Sequence, residues 1–182
     1  MKFKLLLLVL ALQSAWILGT TFVQERALAV GKLISLETRR VDPRDLLRGD
    51  YLILNYKISD VPAGLFSPPV PKDLPAGTKV YVALEQRGQF HEVVKASTNQ
   101  FDPAGNEILL QGQTRWGWNT GTNAVHVEYG IDRYYVAEGT CNPPGTLTVQ
   151  AVVPASGRAS IKQVFVNGKP YADAMKESAH RQ

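Results

Sequence analysis

The chain is poor in the residues that build metal and disulfide sites. Its 182 residues include one cysteine, Cys141, and three histidines. One thiol cannot form a disulfide within the chain, and a few scattered histidines do not give the usual structural zinc sites. His126 alternates with apolar neighbours, which predicts that its side chain faces outward. We therefore expect no metal site and no cofactor.

The chain also lacks a strong excess of charge of either sign. Its formal net charge is +4, which falls to +2 when Lys2 and Lys4 are left out. A small excess that is spread along the sequence disfavours nucleic acid as a partner. The glycines lie singly in turns, so the sequence has no glycine-rich loop of the kind that binds phosphate.

One long apolar run stands at the N-terminus, over residues 5–23, and it holds no charged residue. Roughly 19 apolar residues are about what a helix needs to cross a hydrocarbon core. We predict a cytoplasmic tip and signal-anchor transmembrane helix over residues 1–24, followed by a stalk over residues 25–31. The alternative is a cleaved signal peptide, because residues 27–29 (ALA) resemble a cleavage site.

The basic tip indicates the orientation of this anchor. Lys2 and Lys4 favour the cytoplasmic side of a bilayer, which leaves the rest of the chain outside. We expect a single-pass protein of the bacterial inner membrane, with its N-terminus inside and its domain in the periplasm. The lipid bilayer is then the first predicted partner.

The remaining sequence has the pattern of a β protein, with no long helical periodicity. Short runs rich in branched and aromatic residues alternate with turn signals, which predicts about eight strands in a compact, mostly antiparallel β domain over residues 32–171. The predicted strands cover residues 32–40, 51–58, 78–85, 90–96, 107–115, 125–131, 146–153 and 158–166. Five prolines predict a surface loop over residues 61–75. We predict a flexible tail over residues 172–182.

Two sequence blocks indicate a family. Residues 49–56 read GDYLILNY and match the signature G-D-Y-x-x-L-x-Y, and residues 127–139 read VEYGIDRYYVAEG. Together with the anchor and the closing hairpin, these blocks resemble the GDYXXLXY family of bacterial membrane-anchored proteins. The resemblance implies an N-terminal anchor and an extracytoplasmic domain, and it brings no established activity.

The residues of the two blocks are the candidate site. In the first block, Gly49 can supply a special backbone angle and Asp50 can accept backbone hydrogen bonds at the start of a strand. Alternate side chains of that strand face the core, and the other face can form a partner surface. The candidates of the first block are Gly49, Asp50, Tyr51, Leu54, Asn55, Tyr56 and Lys57. Those of the second block are Tyr129, Gly130, Asp132, Tyr134, Tyr135, Glu138 and Gly139.

Three other groups of residues are alternative candidate sites. The layout is similar to that of type I signal peptidases, but residues 41–48, just before Gly49, include no serine. Ser35 and Thr38 lie farther upstream, with Thr38 as the nearer hydroxyl, and Lys79 is the candidate base on a later strand. Asp132 and Glu138 are a pair of carboxylates suited to acid–base chemistry or to fixing a loop. Trp116 and Trp118 form a recognition loop for glycan or protein, or else cover the open end of the core.

These observations favour a membrane-anchored extracytoplasmic accessory or interaction protein, working beside an integral membrane protein. The first alternative is a signal-peptidase-like hydrolase or its inactive relative. The second is a module that binds cell-envelope glycan. We predict no catalytic residues.

Overall fold

A computed structural model of the chain describes residues 2–39, 51–119, 122–136 and 145–179. The predictions made for Gly49, Asp50, Glu138, Gly139 and Cys141 lie outside the described residues.

The N-terminal apolar run forms a single helix, α1, over Lys2–Val30. Its segment Leu6–Val30 is long and apolar enough to cross a membrane, and none of its most apolar window is buried within the protein. Trp16, for example, is 76% exposed. An apolar helix without protein cover fits the predicted membrane anchor. The helix runs on through residues 25–30 of the predicted stalk and ends before Gly31.

Gly31 joins the helix to the β domain directly. Strand β1 begins at the next residue and covers Lys32–Glu37. A Cβ atom at Gly31 would lie 2.4 Å from Cγ1 of Val152, so only glycine allows this close approach. The helix therefore reaches the domain without a spacer, and the start of β1 lies at the end of the domain nearest the helix.

The domain consists of short antiparallel strands, as predicted. After β1 come β2 Tyr51–Ile53, β3 Asp60–Pro62, β4 Asp73–Leu74, β5 Lys79–Arg87, β6 Phe90–Ser97, β7 Ile108–Thr114, β8 Trp118–Asn119, β9 Ala124–Glu128, β10 Arg133–Tyr135, β11 Leu147–Val153, β12 Ser160–Val166 and β13 Lys169–Pro170. Two larger sheets have the strand orders β1-β11-β12-β13 and β3-β9-β7-β5-β6. The pairs β2-β10 and β4-β8 form two further sheets. The thirteen strands in the described residues exceed the predicted eight, because segments predicted as loops contribute strands of two or three residues.

One hydrophobic core joins the two larger sheets. Alternate side chains of β1 and β5 are buried, among them Ile34, Leu36 and Val82. The sheets approach one another where β1 lies beside β6. There the backbone N–H of Ser35 donates a hydrogen bond of 3.2 Å to Nδ1 of His91, which occupies part of the free edge of β1.

The prediction of one continuous strand over residues 51–58 is wrong, but the predicted burial of its alternate side chains is confirmed. Strand β2 ends at Ile53, and a 3-10 turn follows at Lys57–Ser59 before β3 begins. The alternate residues Leu52, Leu54, Tyr56 and Ile58 are all buried, as the pattern predicted. The chain breaks its strand here because it leaves β10 and crosses to β9 in another sheet.

The proline-rich segment is more than the predicted surface loop. It contains β3, a 3-10 turn at Ala63–Leu65 and β4, and it buries Val61, Phe66 and Leu74 in the core. Strand β3 lies at the edge of the five-stranded sheet, a position that tolerates proline.

The segment predicted as a flexible tail contains a second helix, α2, over Tyr171–Ala179. Tyr171 is buried, and Ala174 and Met175 pack partly against the core. This spacing of three and four residues places these side chains on one face of the helix, which explains why a polar segment is ordered here.

Candidate functional site

The two motif blocks are neighbours in the folded protein. Strands β2 and β10 pair in antiparallel register, with Tyr51 opposite Tyr135 and Leu52 opposite Tyr134. The backbone N–H of Leu54 then donates to the carbonyl oxygen of Asp132 at 2.8 Å. Residues that are far apart in the sequence therefore form one junction between two strands.

Each block also places a tyrosine hydroxyl on a backbone carbonyl in the other block or in the 3-10 turn that follows it. The Tyr56 hydroxyl donates to the Ile131 carbonyl at 2.6 Å. The Tyr129 hydroxyl donates to the Ile58 carbonyl at 2.7 Å. Both rings are buried, and each bond pairs a buried hydroxyl with a buried backbone carbonyl. We call this pair of bonds the tyrosine junction.

Burial keeps both hydroxyls of the tyrosine junction in the donor form. It raises the pKa of Tyr56 far above its usual value, and the nearby Asp132 carboxylate adds to the increase. Burial raises the pKa of Tyr129 in the same way, with Asp132 and Asp60 contributing. Because neither phenol ionises near neutral pH, neither is suited to act as a general base.

Asp132 holds the turn between the two tyrosine bonds. Its Oδ2 accepts the Gly130 N–H at 3.0 Å, and Gly130 has a φ of +77°, in the left-handed region that favours glycine. Burial and the neighbouring Glu128 raise the pKa of Asp132, while backbone N–H groups partly oppose this. Its proposed carboxylate companion, Glu138, lies outside the described residues.

The outward side of the same strand pair carries two aromatic rings and a guanidinium. The ring centroids of Tyr51 and Tyr135 are 5.9 Å apart, and the Arg133 guanidinium lies 5.3 Å from the Tyr51 ring. Tyr135 is 72% exposed. We call Tyr51, Arg133 and Tyr135 the aromatic face.

A shallow groove of about 410 Å³ lies beside the aromatic face, between β10 and β12. Arg133 and Tyr135 line one side of it, and Ser160 and Ile161 line the other. Tyr134 belongs to the groove and packs edge-on against Tyr171 of α2, with ring centroids 5.6 Å apart. The groove is therefore bordered by the second motif block and by the last long strand of the domain.

The other first-block candidates lie elsewhere. Lys57 is exposed and forms an ion pair of 2.6 Å with Glu37 of β1. The backbone carbonyl of Asn55 accepts the Arg39 N–H at 2.7 Å. Leu54 is part of the core. The structure thus separates the predicted site into a buried junction, an aromatic face and the Lys57 side chain.

Sequence reasoning missed a polar cluster centred on Asp60. Its carboxylate contacts the Arg39 guanidinium and lies 2.6 Å from Nδ1 of His126. Partial burial tends to raise the pKa of Asp60, but its hydrogen bond with His126 and the charge of Arg39 hold it below the usual value. Asp60 and His126 are 66 residues apart, so no local sequence signal could have revealed the pair.

The two tryptophans of the predicted recognition loop occupy different environments. Trp118 packs partly against the core, and its ring N–H donates to the Thr122 carbonyl at 3.1 Å. Trp116 is 57% exposed, with its ring centroid 4.8 Å from that of His126 and 4.6 Å from the Arg115 guanidinium.

Thr38 and Lys79, the candidate hydroxyl and base of a peptidase, lie in different parts of the fold, after β1 and at the start of β5. Thr38 is the residue after β1, and its buried hydroxyl donates a hydrogen bond of 2.6 Å to the Leu147 carbonyl. Lys79 is exposed at the start of β5. Within the described part of the chain, no group of three or more His, Cys, Asp or Glu side chains is placed to hold a metal ion.

The structure defines a class of protein: a β domain joined to an apolar helix that is able to cross a membrane. A family model described as "GDYXXLXY protein" matches residues 13–164, a span that includes both motif blocks. The chain therefore belongs to the GDYXXLXY family. No curated protein and no solved structure matches the chain.

The tyrosine junction predicts a stability loss that is specific to its hydroxyls. Tyr56→Phe keeps the ring but leaves the Ile131 carbonyl without its donor, so we expect a loss of about 1–3 kcal/mol in the free energy of unfolding. The measurement is urea unfolding of the whole chain in a mild non-ionic detergent. Tyr81→Phe is the matched control, because the Tyr81 hydroxyl makes no hydrogen bond with the described residues. Equal losses for the two variants would contradict this role.

The Asp60 cluster predicts a pH dependence of stability. A carboxyl whose pKa is lower in the folded state stabilises the fold above its unfolded pKa of about 3.9. This contribution is lost as the pH falls through the folded pKa. The chain should therefore lose more unfolding free energy between pH 5 and pH 3 than its Asp60→Asn variant. We expect a difference below about 1 kcal/mol, because the partners are partly exposed. If the urea midpoints of the two proteins change in parallel between pH 5 and pH 3, Asp60 does not stabilise the fold through its carboxylate.

Proposed function

We propose that this chain is a membrane-anchored accessory protein whose β domain lies on the extracytoplasmic side of a bacterial inner membrane. There it binds an integral membrane protein through the aromatic face. One observation carries the proposal. The core of the motif region is held by the tyrosine junction, whereas Arg133 and Tyr135 of the same region are exposed.

The composition of the aromatic face supports a protein partner. Tyrosine and arginine are enriched at the few residues that contribute most of the binding energy in protein interfaces. The contact between Tyr51 and Tyr135, with Arg133 over Tyr51, holds these side chains together before a partner arrives. Pre-arranged aromatic side chains lose little conformational entropy on binding. The neighbouring groove offers room for a protruding side chain of the partner.

The position of the motif blocks relative to the anchor also supports this partner. Gly31 ties the start of β1 to the helix, and the first block contacts the far end of β1, where Thr38 bridges to Tyr56. The six residues of β1 extend about 20 Å. The first block thus lies about one strand length from the anchor, within reach of an extracytoplasmic loop of an integral protein beside that anchor. Lys2 and Lys4 support the orientation with the N-terminus inside.

Exposed Trp116 supports a second candidate, the binding of cell-envelope glycan, since sugars stack on exposed aromatic rings. The neighbouring Arg115 and His126 already lie within 5 Å of its ring, which leaves less of the ring free for a sugar. We therefore place this candidate second.

Crosslinking in spheroplasts tests both the partner and the orientation. The tagged full chain is expressed in a bacterium and treated with a membrane-impermeant crosslinker that reacts with amines, such as exposed Lys162 next to the groove. We expect an adduct with an integral membrane protein. Its yield should fall about tenfold or more in Tyr135→Ala and in Arg133→Ala, as for residues that dominate an interface.

Arg87→Ala is the matched control for Arg133→Ala, because Arg87 is exposed at the end of β5, outside the aromatic face. Trp116→Ala separates the two candidates, and it should leave the adduct intact. Circular dichroism checks that each variant is folded. An adduct that persists in both aromatic-face variants would overturn the binding proposal. An adduct that forms only with a membrane-permeant reagent would overturn the orientation.

A further inference from the structure

A second cavity, of about 250 Å³, lies between the 3-10 turn after the first motif block, β3 and β6. Its walls are mainly apolar and include Ile58, Leu65 and Phe90. Pockets for drug-sized ligands have volumes of about 300–1,000 Å³, so this cavity suits a smaller molecule. It shares none of its lining residues with the groove beside the aromatic face.

His91 contributes a buried polar group to this cavity. The side chain is 9% exposed, and its Nδ1 accepts the Ser35 N–H. Burial lowers the pKa of His91, which favours the neutral ring. In a neutral ring whose Nδ1 accepts a hydrogen bond, Nε2 carries the proton and is a donor. The described part of the chain gives Nε2 no hydrogen-bond partner.

The charged side chains that line the cavity are mostly acidic. Glu37, Asp60 and Glu92 are carboxylates, and Lys57 is the one ammonium among the lining residues described. Lys57 bonds to Oε2 of Glu37 at 2.6 Å, which leaves Oε1 of Glu37 available. Glu92 forms a loose ion pair of 3.6 Å with Arg87, and both side chains are more than half exposed. These carboxylates can accept hydrogen bonds from a bound cation.

We propose that this cavity binds a small apolar primary amine that also carries a neutral hydrogen-bond acceptor. Its ammonium group lies against Glu37 and Glu92, its acceptor receives a hydrogen bond from the Nε2–H of His91, and its apolar body packs on Leu65 and Phe90. An amino-acid amide has this chemistry, and so does the first residue of a peptide. The binding needs neither the aromatic face nor its partner.

Leucinamide is the probe, titrated into the full chain in a non-ionic detergent and followed by calorimetry. Two analogues each remove one group from it. 3-Methylbutylamine lacks the carboxamide, and 4-methylpentanamide lacks the amine and its charge. We expect both to bind at least about tenfold more weakly than leucinamide, because each leaves a buried or charged group without its partner. If leucinamide does not bind, or if all three compounds bind equally, the proposal is overturned.

A substitution that fills the cavity tests whether leucinamide binds there. Val93→Phe adds volume to the lining and should abolish leucinamide binding. Val94→Phe is the matched control, since the neighbouring half-buried Val94 does not line the cavity, and it should bind like wild type. Wild-type affinity in a folded Val93→Phe variant would also overturn the proposal.

Two further measurements distinguish a peptide N-terminus from a free small amine, and this proposal from the one on the aromatic face. A Leu-Ala-Ala-Ala amide that binds more tightly than leucinamide identifies a peptide N-terminus as the ligand, whereas weaker binding identifies a free small amine. Arg133→Ala should leave leucinamide binding unchanged, so a failed crosslinking experiment and a failed titration are distinguishable.

Discussion

The tyrosine junction is the constraint on which the rest of the motif region depends. Tyr56 of the first block donates to the Ile131 carbonyl of the second block, and Tyr129 of the second block donates to the Ile58 carbonyl in the turn just after the first. Neither bond forms unless both segments are in place. A strand pair as short as β2-β10 is weak by itself, because two-stranded sheets are marginally stable in water. Buried hydrogen bonds fix its register, since losing either donor leaves a carbonyl unsatisfied in the core. The aromatic face is held in position by that register.

This arrangement gives the family signature a physical meaning. Within the described part of the first block, the final tyrosine and the leucine before it are core residues, whereas Tyr51 points to the aromatic face. The second block divides in the same way, with Tyr129 inside and Tyr135 outside. One sequence pattern therefore combines a structural requirement with an exposed surface. The functional proposal rests on the exposed residues, and the buried ones account for the precision with which that surface is held.

Sequence periodicity predicted most of the fold and little of the site. Alternating apolar residues gave the hairpin β5-β6 and the burial of β9, because side-chain direction follows from local geometry. The same alternation did not predict the end of β2. Alternate residues stay buried through Tyr56, although the backbone has already left its pairing with β10. The Asp60–His126 pair was not predictable, because no local pattern selects contacts between residues 66 positions apart. Helix α2 was missed because its apolar stripe is short and its residues are mainly polar.

Amide hydrogen exchange at Leu54 is the most direct measurement of the central claim. This N–H donates to Asp132 between the two tyrosine bonds, so it can exchange only when the junction opens. We expect it to exchange among the slowest amides of the domain, with an opening free energy close to that of global unfolding. The exposed turn residue Gly105 provides the fast reference. Exchange of the Leu54 amide at a rate similar to that of Gly105 would show that the two blocks separate freely, and would contradict the account.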